Sequence, residues 1–140
     1  MVLTASAPDV SSSVSPEQYQ AGLCNIGPAE IARRRQAGHV GLALTIVALG
    51  VMVAADAPPL VRLLVGLPAA VAASGYLQAR LWFCAAFGSR GIFNFGTLGE
   101  NGQVSDPVAL ARDRARARQI GLASLAVGAV VGIAAALLPT

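Results

Sequence analysis

The sequence predicts an all-α integral membrane protein: three transmembrane helices preceded by a short cytoplasmic N-terminal helix. Three observations carry this. Apolar residues make up 55% of the 140 residues and charged ones only 12%, with a mean hydropathy of +0.63, which does not suit a water-soluble domain. Three long runs carry no charge, and arginines flank them, as they do in membrane proteins. The net charge of +3 and the pI near 9.5 therefore do not point to nucleic acid, whose recognition needs a solvated basic face. With no lysine and abundant Ala, Val and Gly, the composition suggests a GC-rich bacterial genome and hence a bacterial inner membrane.

Residues 1–15 are rich in Ser, Ala and Pro without periodicity and are expected to be a disordered tail, with residues 16–140 forming a single membrane domain. Ser15 as N-cap, Pro16 at the first helical position and Gln18 at the third predict a short helix ending near Gly22. Pro28 and Glu30 open a second helix whose start suits the helix dipole. It carries Arg33, Arg34 and Arg35 into a first span over about 36–56, enough at 1.5 Å per residue to cross a core of ~30 Å. Asp56-Ala57-Pro58-Pro59 stops it in a tight turn.

The second span covers about 60–82 and is uncharged between Arg62 and Arg80, so both arginines are expected to snorkel to their interfaces. Pro68 removes a backbone donor within it and predicts a kink. Tyr76, Trp82, Phe83 and Phe87 cluster at its end like an interfacial aromatic belt. Asp106-Pro107 reads as an N-cap and first helical residue, opening a helix that passes Arg112, Arg114, Arg116 and Arg118 before a third span over about 119–138. Nine arginines fall on one side of the spans and only Arg62 on the other. The positive-inside rule then sets the N-terminus in the cytoplasm and the C-terminus outside.

In the third span Ser124, Gly128, Gly132 and Ala136 recur every four residues, and in the second Gly66, Ala70 and Ser74 do the same. Such small-residue faces let backbones approach closely in lipid. They predict either that the two spans pack on each other or that one of them meets a neighbouring subunit.

Folding the first hairpin about Pro58 brings His39 to about the depth of Tyr76, with Gln78 and Arg80 within a turn. The pattern favours a structural His39 hydrogen-bonded to a neighbour such as Gln78 over a ligand or proton carrier. Cys24, His39 and Cys84 have thiolate and imidazole chemistry suited to a soft metal, but no CxxC or HxxxH spacing supports a site. No metal and no cofactor is therefore assigned, and Cys24, His39, Tyr76, Gln78, Arg80 and Cys84 stand as a candidate polar cluster. Both cysteines fall on the reducing side, where a disulfide is not expected. The four arginines from Arg112 to Arg118 alternate, which on a helix makes two rows on opposite sides, a collar for anionic lipid head groups.

The cytoplasmic loop, 88–105, is least explained by insertion alone. Gly99-Glu100-Asn101-Gly102 is a turn signal between Thr97-Leu98 and Gln103-Val104 and permits a small hairpin. Asn25 and Gly27 from the N-terminal turn, with Phe93, Asn94 and Phe95, are candidates for a cytoplasmic cap facing a partner. The alternative is that the phenylalanines dip into the membrane interface.

The segments NIGPAEIARRRQAGHVGLAL, VRLLVGLPAA and FCAAFG, between Asn25 and Gly88, resemble the small YgaP-like bacterial inner-membrane domain. The resemblance implies a membrane-embedded, dimeric domain and brings no catalytic residue. This chain departs from the pattern in its third span, its arginine-rich loop and Cys84-Ala85 where that family has a Cys-Pro step.

No nucleophile-base pair, phosphate-cradling loop or carboxylate pair is present in the sequence pattern. The expected function is non-enzymatic: an accessory, scaffold or assembly subunit, as a homo-oligomer or within a larger membrane complex, with the lipid bilayer and no nucleic acid as partner. The alternatives are a homo-oligomeric small-solute transporter or channel, which needs a polar mid-depth stripe that only Thr45, Ser74 and Ser124 supply, and a metal- or redox-binding membrane module.

Overall fold

The computed structural model describes residues 18–99 and 101–139. Its elements are α1 (Pro28–Ala54), α2 (Pro59–Arg62), a 3-10 turn (Leu63–Val65), α3 (Gly66–Leu81), α4 (Ala85–Arg90), β1 (Ile92–Phe93), β2 (Gly102–Gln103) and α5 (Pro107–Leu137). Three stretches, Pro28–Ala54, Pro59–Leu81 and Pro107–Leu137, are helical, long and apolar enough to cross a membrane. Large aliphatic side chains such as Val40, Leu44, Ile46, Leu122, Leu125 and Val130 lie exposed along α1 and α5, as helices solvated by lipid require. The chain is a mostly helical membrane protein.

It divides into two compact units, Met1–Arg33 with Gln78–Gln119 and Arg34–Leu77 with Ile120–Thr140. The first holds the loops and the second the apolar helix segments; they are called the loop unit and the span unit.

In the span unit α3 is the central helix, and glycines set both of its contacts. A Cβ on Gly41 would lie 2.6 Å from the Ala72 nitrogen, and one on Gly75 would lie 2.5 Å from the Gly38 nitrogen. On the α5 side, a Cβ on Gly128 would lie 2.6 Å from the Gly66 oxygen and 2.8 Å from the Ala70 Cβ, and one on Gly132 would lie 2.8 Å from the Leu63 oxygen. The small faces of the second and third spans therefore pack on each other within one chain. Ser124 is buried in the same face and returns its hydroxyl to the Ile120 carbonyl at 2.7 Å, while Ala135 is more deeply buried than its neighbour Ala136. Ser74 is half-buried on α3.

One expectation for the second span takes a definite form and another is corrected. Pro68 lies in the first turn of α3, and the backbone accommodates its missing donor upstream, where Gly66 N–H closes a 3-10 bond to Leu63 at the Leu63–Val65 turn. The irregularity thus precedes the proline, because the carbonyl it deprives and crowds is that of Leu64. Arg62 does not snorkel into open solvent: it is 2% exposed, donating from Nε to the Ala57 oxygen at 2.8 Å and from Nη1 to the Leu138 oxygen at 2.9 Å. Carbonyls beyond the C-terminal ends of α1 and α5 lack helical partners, and the planar guanidinium reaches both.

The helix ends follow local rules. Asp56, at φ 52°, closes α1 with Ala57 N–H on the Met52 oxygen and Asp56 N–H on the Val53 oxygen, a Schellman pair with Asp in place of the usual Gly. Asp106 caps α5 through its carboxylate, which accepts the Ala109 N–H at 3.1 Å. The disordered-tail assignment and Ser15 to Glu17 of the predicted first helix lie outside the described residues. The described remainder of that helix, Gln18 to Gly22, forms turns, with an isolated antiparallel bridge between Gln20 and Cys24 and Gly22 at φ 71°.

Candidate functional site

The loop unit gathers most of the buried polar side chains: Asn25, Glu30, Gln78, Asn94 and Asp113. It begins where α3 ends. Trp82 adopts φ 57°, a conformation unfavourable for a bulky residue, and Phe83 N–H bonds back to the Gln78 oxygen at 3.1 Å. The reversal leaves the indole 58% exposed and turns Phe83 fully inward. Phe83 is therefore core and not part of an interfacial belt, and its ring lies where a Cβ on Gly88 would come within 2.7 Å of it.

Asn25 locks the next residue. Its Oδ1 accepts the Cys84 N–H at 2.7 Å and its Nδ2 donates to the Cys84 oxygen at 3.1 Å, while its own N–H bonds to the Trp82 oxygen at 3.1 Å. Gln78 Oε1 accepts the Ala85 N–H at 2.8 Å. A second asparagine plays the same part in the long loop: Asn94 Oδ1 accepts the Gly96 N–H at 2.9 Å, and its Nδ2 reaches the Thr97 oxygen at 2.7 Å and Glu30 Oε2 at 3.4 Å. The two asparagine loops join as a parallel bridge, with Asn94 N–H on the Asn25 oxygen at 2.9 Å and Gly27 N–H on the Asn94 oxygen at 2.8 Å. A Cβ on Gly27 would come within 2.7 Å of the Phe95 oxygen, so glycine is required for the close approach. Asn25, Gly27, Asn94 and Phe95 are thus assembled into one framework, and Phe93 joins it by stacking on Tyr19 with ring centroids 5.3 Å apart.

The hairpin is real but shifted. Ile92 pairs with Gln103 and Phe93 with Gly102, so its first strand precedes Thr97-Leu98, whose backbone Asn94 engages instead.

Asp113 is the anchor that sequence reasoning missed. Fully buried on α5, it accepts the Tyr19 hydroxyl at 2.5 Å and the Gly22 N–H at 2.7 Å. Burial first, and then the Asp113 carboxylate, push the Tyr19 hydroxyl well above the ordinary tyrosine range, so Tyr19 keeps its proton and donates. The only hint was a single acid among four arginines, at residues 112–118.

Of the predicted polar cluster, the structure joins Gln78 and Cys84 to the asparagine framework. Arg80 is exposed. His39 Nδ1 lies 2.7 Å from the Tyr76 hydroxyl, with the rings edge to face at 5.4 Å; its described partner is Tyr76 rather than Gln78. Neither cysteine forms a disulfide among the described residues; Cys84 is buried, and Cys24 is half-buried with its Sγ 3.8 Å from the Ile26 oxygen. Burial pushes the Cys24 thiol up, away from the thiolate needed of a ligand or nucleophile. Among the described residues no three His, Cys, Asp or Glu side chains are grouped to hold a metal ion. Arg112, Arg114 and Arg118 are exposed, whereas Arg116 is half-buried. No protein family, curated protein or solved structure matches the chain.

Proposed function

We propose that this chain is a non-enzymatic accessory, scaffold or assembly subunit of a complex in a bacterial inner membrane, oriented with its N-terminus in the cytoplasm. One observation carries the reading: Asn25, Gln78, Asn94 and Asp113 each hold loop backbone groups in place. A buried polar network of this kind fixes shape, and the Asp113 carboxylate is engaged by the Tyr19 hydroxyl and the Gly22 N–H. The resemblance of the Asn25–Gly88 region to the YgaP-like domain agrees with a membrane-embedded chain and carries over no catalytic residue. The loops display Leu23 and Leu98, 58% and 53% exposed, as apolar contacts for a larger subunit.

Native mass spectrometry after gentle extraction tests the proposal. The expected result is a stoichiometric larger partner that Leu23→Asp and Leu98→Asp release while the helical circular dichroism stays unchanged. Extraction of homo-oligomers alone would move the assignment to a transporter or channel, and a retained metal or haem would move it to a redox module.

A further inference from the structure

A depression of about 260 Å³ in the loop unit is lined by Ala21, Gly22, Arg112, Ala115, Arg116 and Gln119. It is smaller than the ~300–1,000 Å³ of sites for drug-sized molecules. Its chemistry is one-sided. Arg112 and Arg116 stand one turn apart on α5, and neither has an ion pair among the described residues. Arg116 Nη1 makes one long contact, 3.3 Å, to Gln119 Oε1, which leaves the Gln119 amide nitrogen as a further donor. Arg116 Nε is buried with no acceptor among the described residues, a costly state for a cationic donor. The nearby carboxylate of Asp113 is bound by Tyr19 and Gly22. Gly22, whose Cβ would meet Arg112 at 3.3 Å, keeps the wall low.

We propose that this depression binds one anionic phosphate ester, with the guanidinium groups of Arg116 and Arg112 as the two cations and the Gln119 amide completing the contact. Guanidinium is suited to this ligand because its fork matches phosphate oxygens. The source is an anionic phospholipid head group: the uncharged run of α5 begins at Ile120, immediately after the site, so a lipid phosphate at the interface arrives tethered at its level. The site is narrower than a charged collar, since it uses the Arg112 and Arg116 row and not the Arg114 and Arg118 row. Binding here requires membrane residence and does not depend on the accessory-subunit role.

The test compares two double variants of equal charge change, Arg112→Gln with Arg116→Gln and Arg114→Gln with Arg118→Gln, in nanodiscs of phosphatidylcholine containing a minority of phosphatidylglycerol. Retained phosphatidylglycerol is counted by native mass spectrometry, and the thermal midpoint of each variant in phosphatidylcholine alone reports folding. One phosphatidylglycerol per chain is expected for the unaltered protein. A loss of about tenfold or more in its affinity is expected for the first pair, as for removal of charge-assisted bonds, and less than about twofold for the second. Arg116→Lys, which keeps charge but has no guanidinium fork, should also lose affinity. Equal losses in the two pairs would reduce the site to a diffuse collar and overturn the proposal. Full displacement by inorganic phosphate would overturn the lipid as its source.

Discussion

Replacing Gly128 with alanine tests the tightest part of the span unit. The new methyl would lie 2.6 Å from the Gly66 carbonyl oxygen and 2.8 Å from the Ala70 Cβ. Neither is the flexible end of a side chain, so the helices must separate. Overpacking of this kind costs about 1–3 kcal/mol. Alanine also has a helix propensity ~1 kcal/mol better than glycine, which obscures the raw effect. Gly121→Ala on the same helix removes that ambiguity, because a Cβ there would meet no neighbouring element within 4 Å among the described residues. Propensity cancels between the two variants, and the remaining difference of about 1–3 kcal/mol is roughly a fivefold to 150-fold change in the folding equilibrium. SDS-titrated unfolding in micelles, followed by circular dichroism, measures it, with cross-linking to record oligomeric state. Overlapping curves for the two variants would refute the close-contact argument. Loss of an oligomer without loss of stability would assign the glycine face to a subunit interface.

Other positions give equally direct outcomes. Asn25→Ala removes the described side-chain partner of the Cys84 N–H, while the Cys84 carbonyl keeps the Gly88 N–H; at about 1–3 kcal/mol for loss of a buried bond, maleimide labelling of Cys84 should accelerate by roughly one to two orders of magnitude. Tyr19→Phe should cost about 1 kcal/mol, the low end for a bond to a charged group, because Tyr19 is only half-buried. The raised Tyr19 value means that this stability is fully present below about pH 10 and is lost as pH rises beyond it. Thermal midpoints across that range should therefore converge for the native and Phe chains, and a constant gap would contradict the assignment. Arg62→Met removes both donors to Ala57 and Leu138 and should increase amide exchange at the ends of α1 and α5, with Arg62→Lys intermediate because an ammonium lacks the fork.

Patterns of short range were legible in the sequence. Uncharged runs located the three long helices, Asp106-Pro107 gave the start of α5, and the Pro58-Pro59 turn gave the hairpin that brings His39 to Tyr76. The small-residue repeat identified the α3 and α5 faces, since spacing along a helix fixes which residues share a side. Whether those faces met within the chain depended on a second helix, and the contacts of Gly66, Gly128 and Gly132 decided it.

The loop unit was less legible because its bonds join distant residues. Asp113 lies among arginines in the sequence, yet its partners Tyr19 and Gly22 are 94 and 91 positions away. Asn25 and Cys84, 59 apart, meet through a reversal at Trp82 that no propensity favours, and Arg62 is buried only because Leu138, 76 positions on, offers a carbonyl. Local hydropathy and helix periodicity are properties of neighbouring residues, and the sequence alone determined the spanning helices from them. The buried polar framework needed the tertiary structure, because the energy of a polar side chain out of water depends on partners brought to it by the fold.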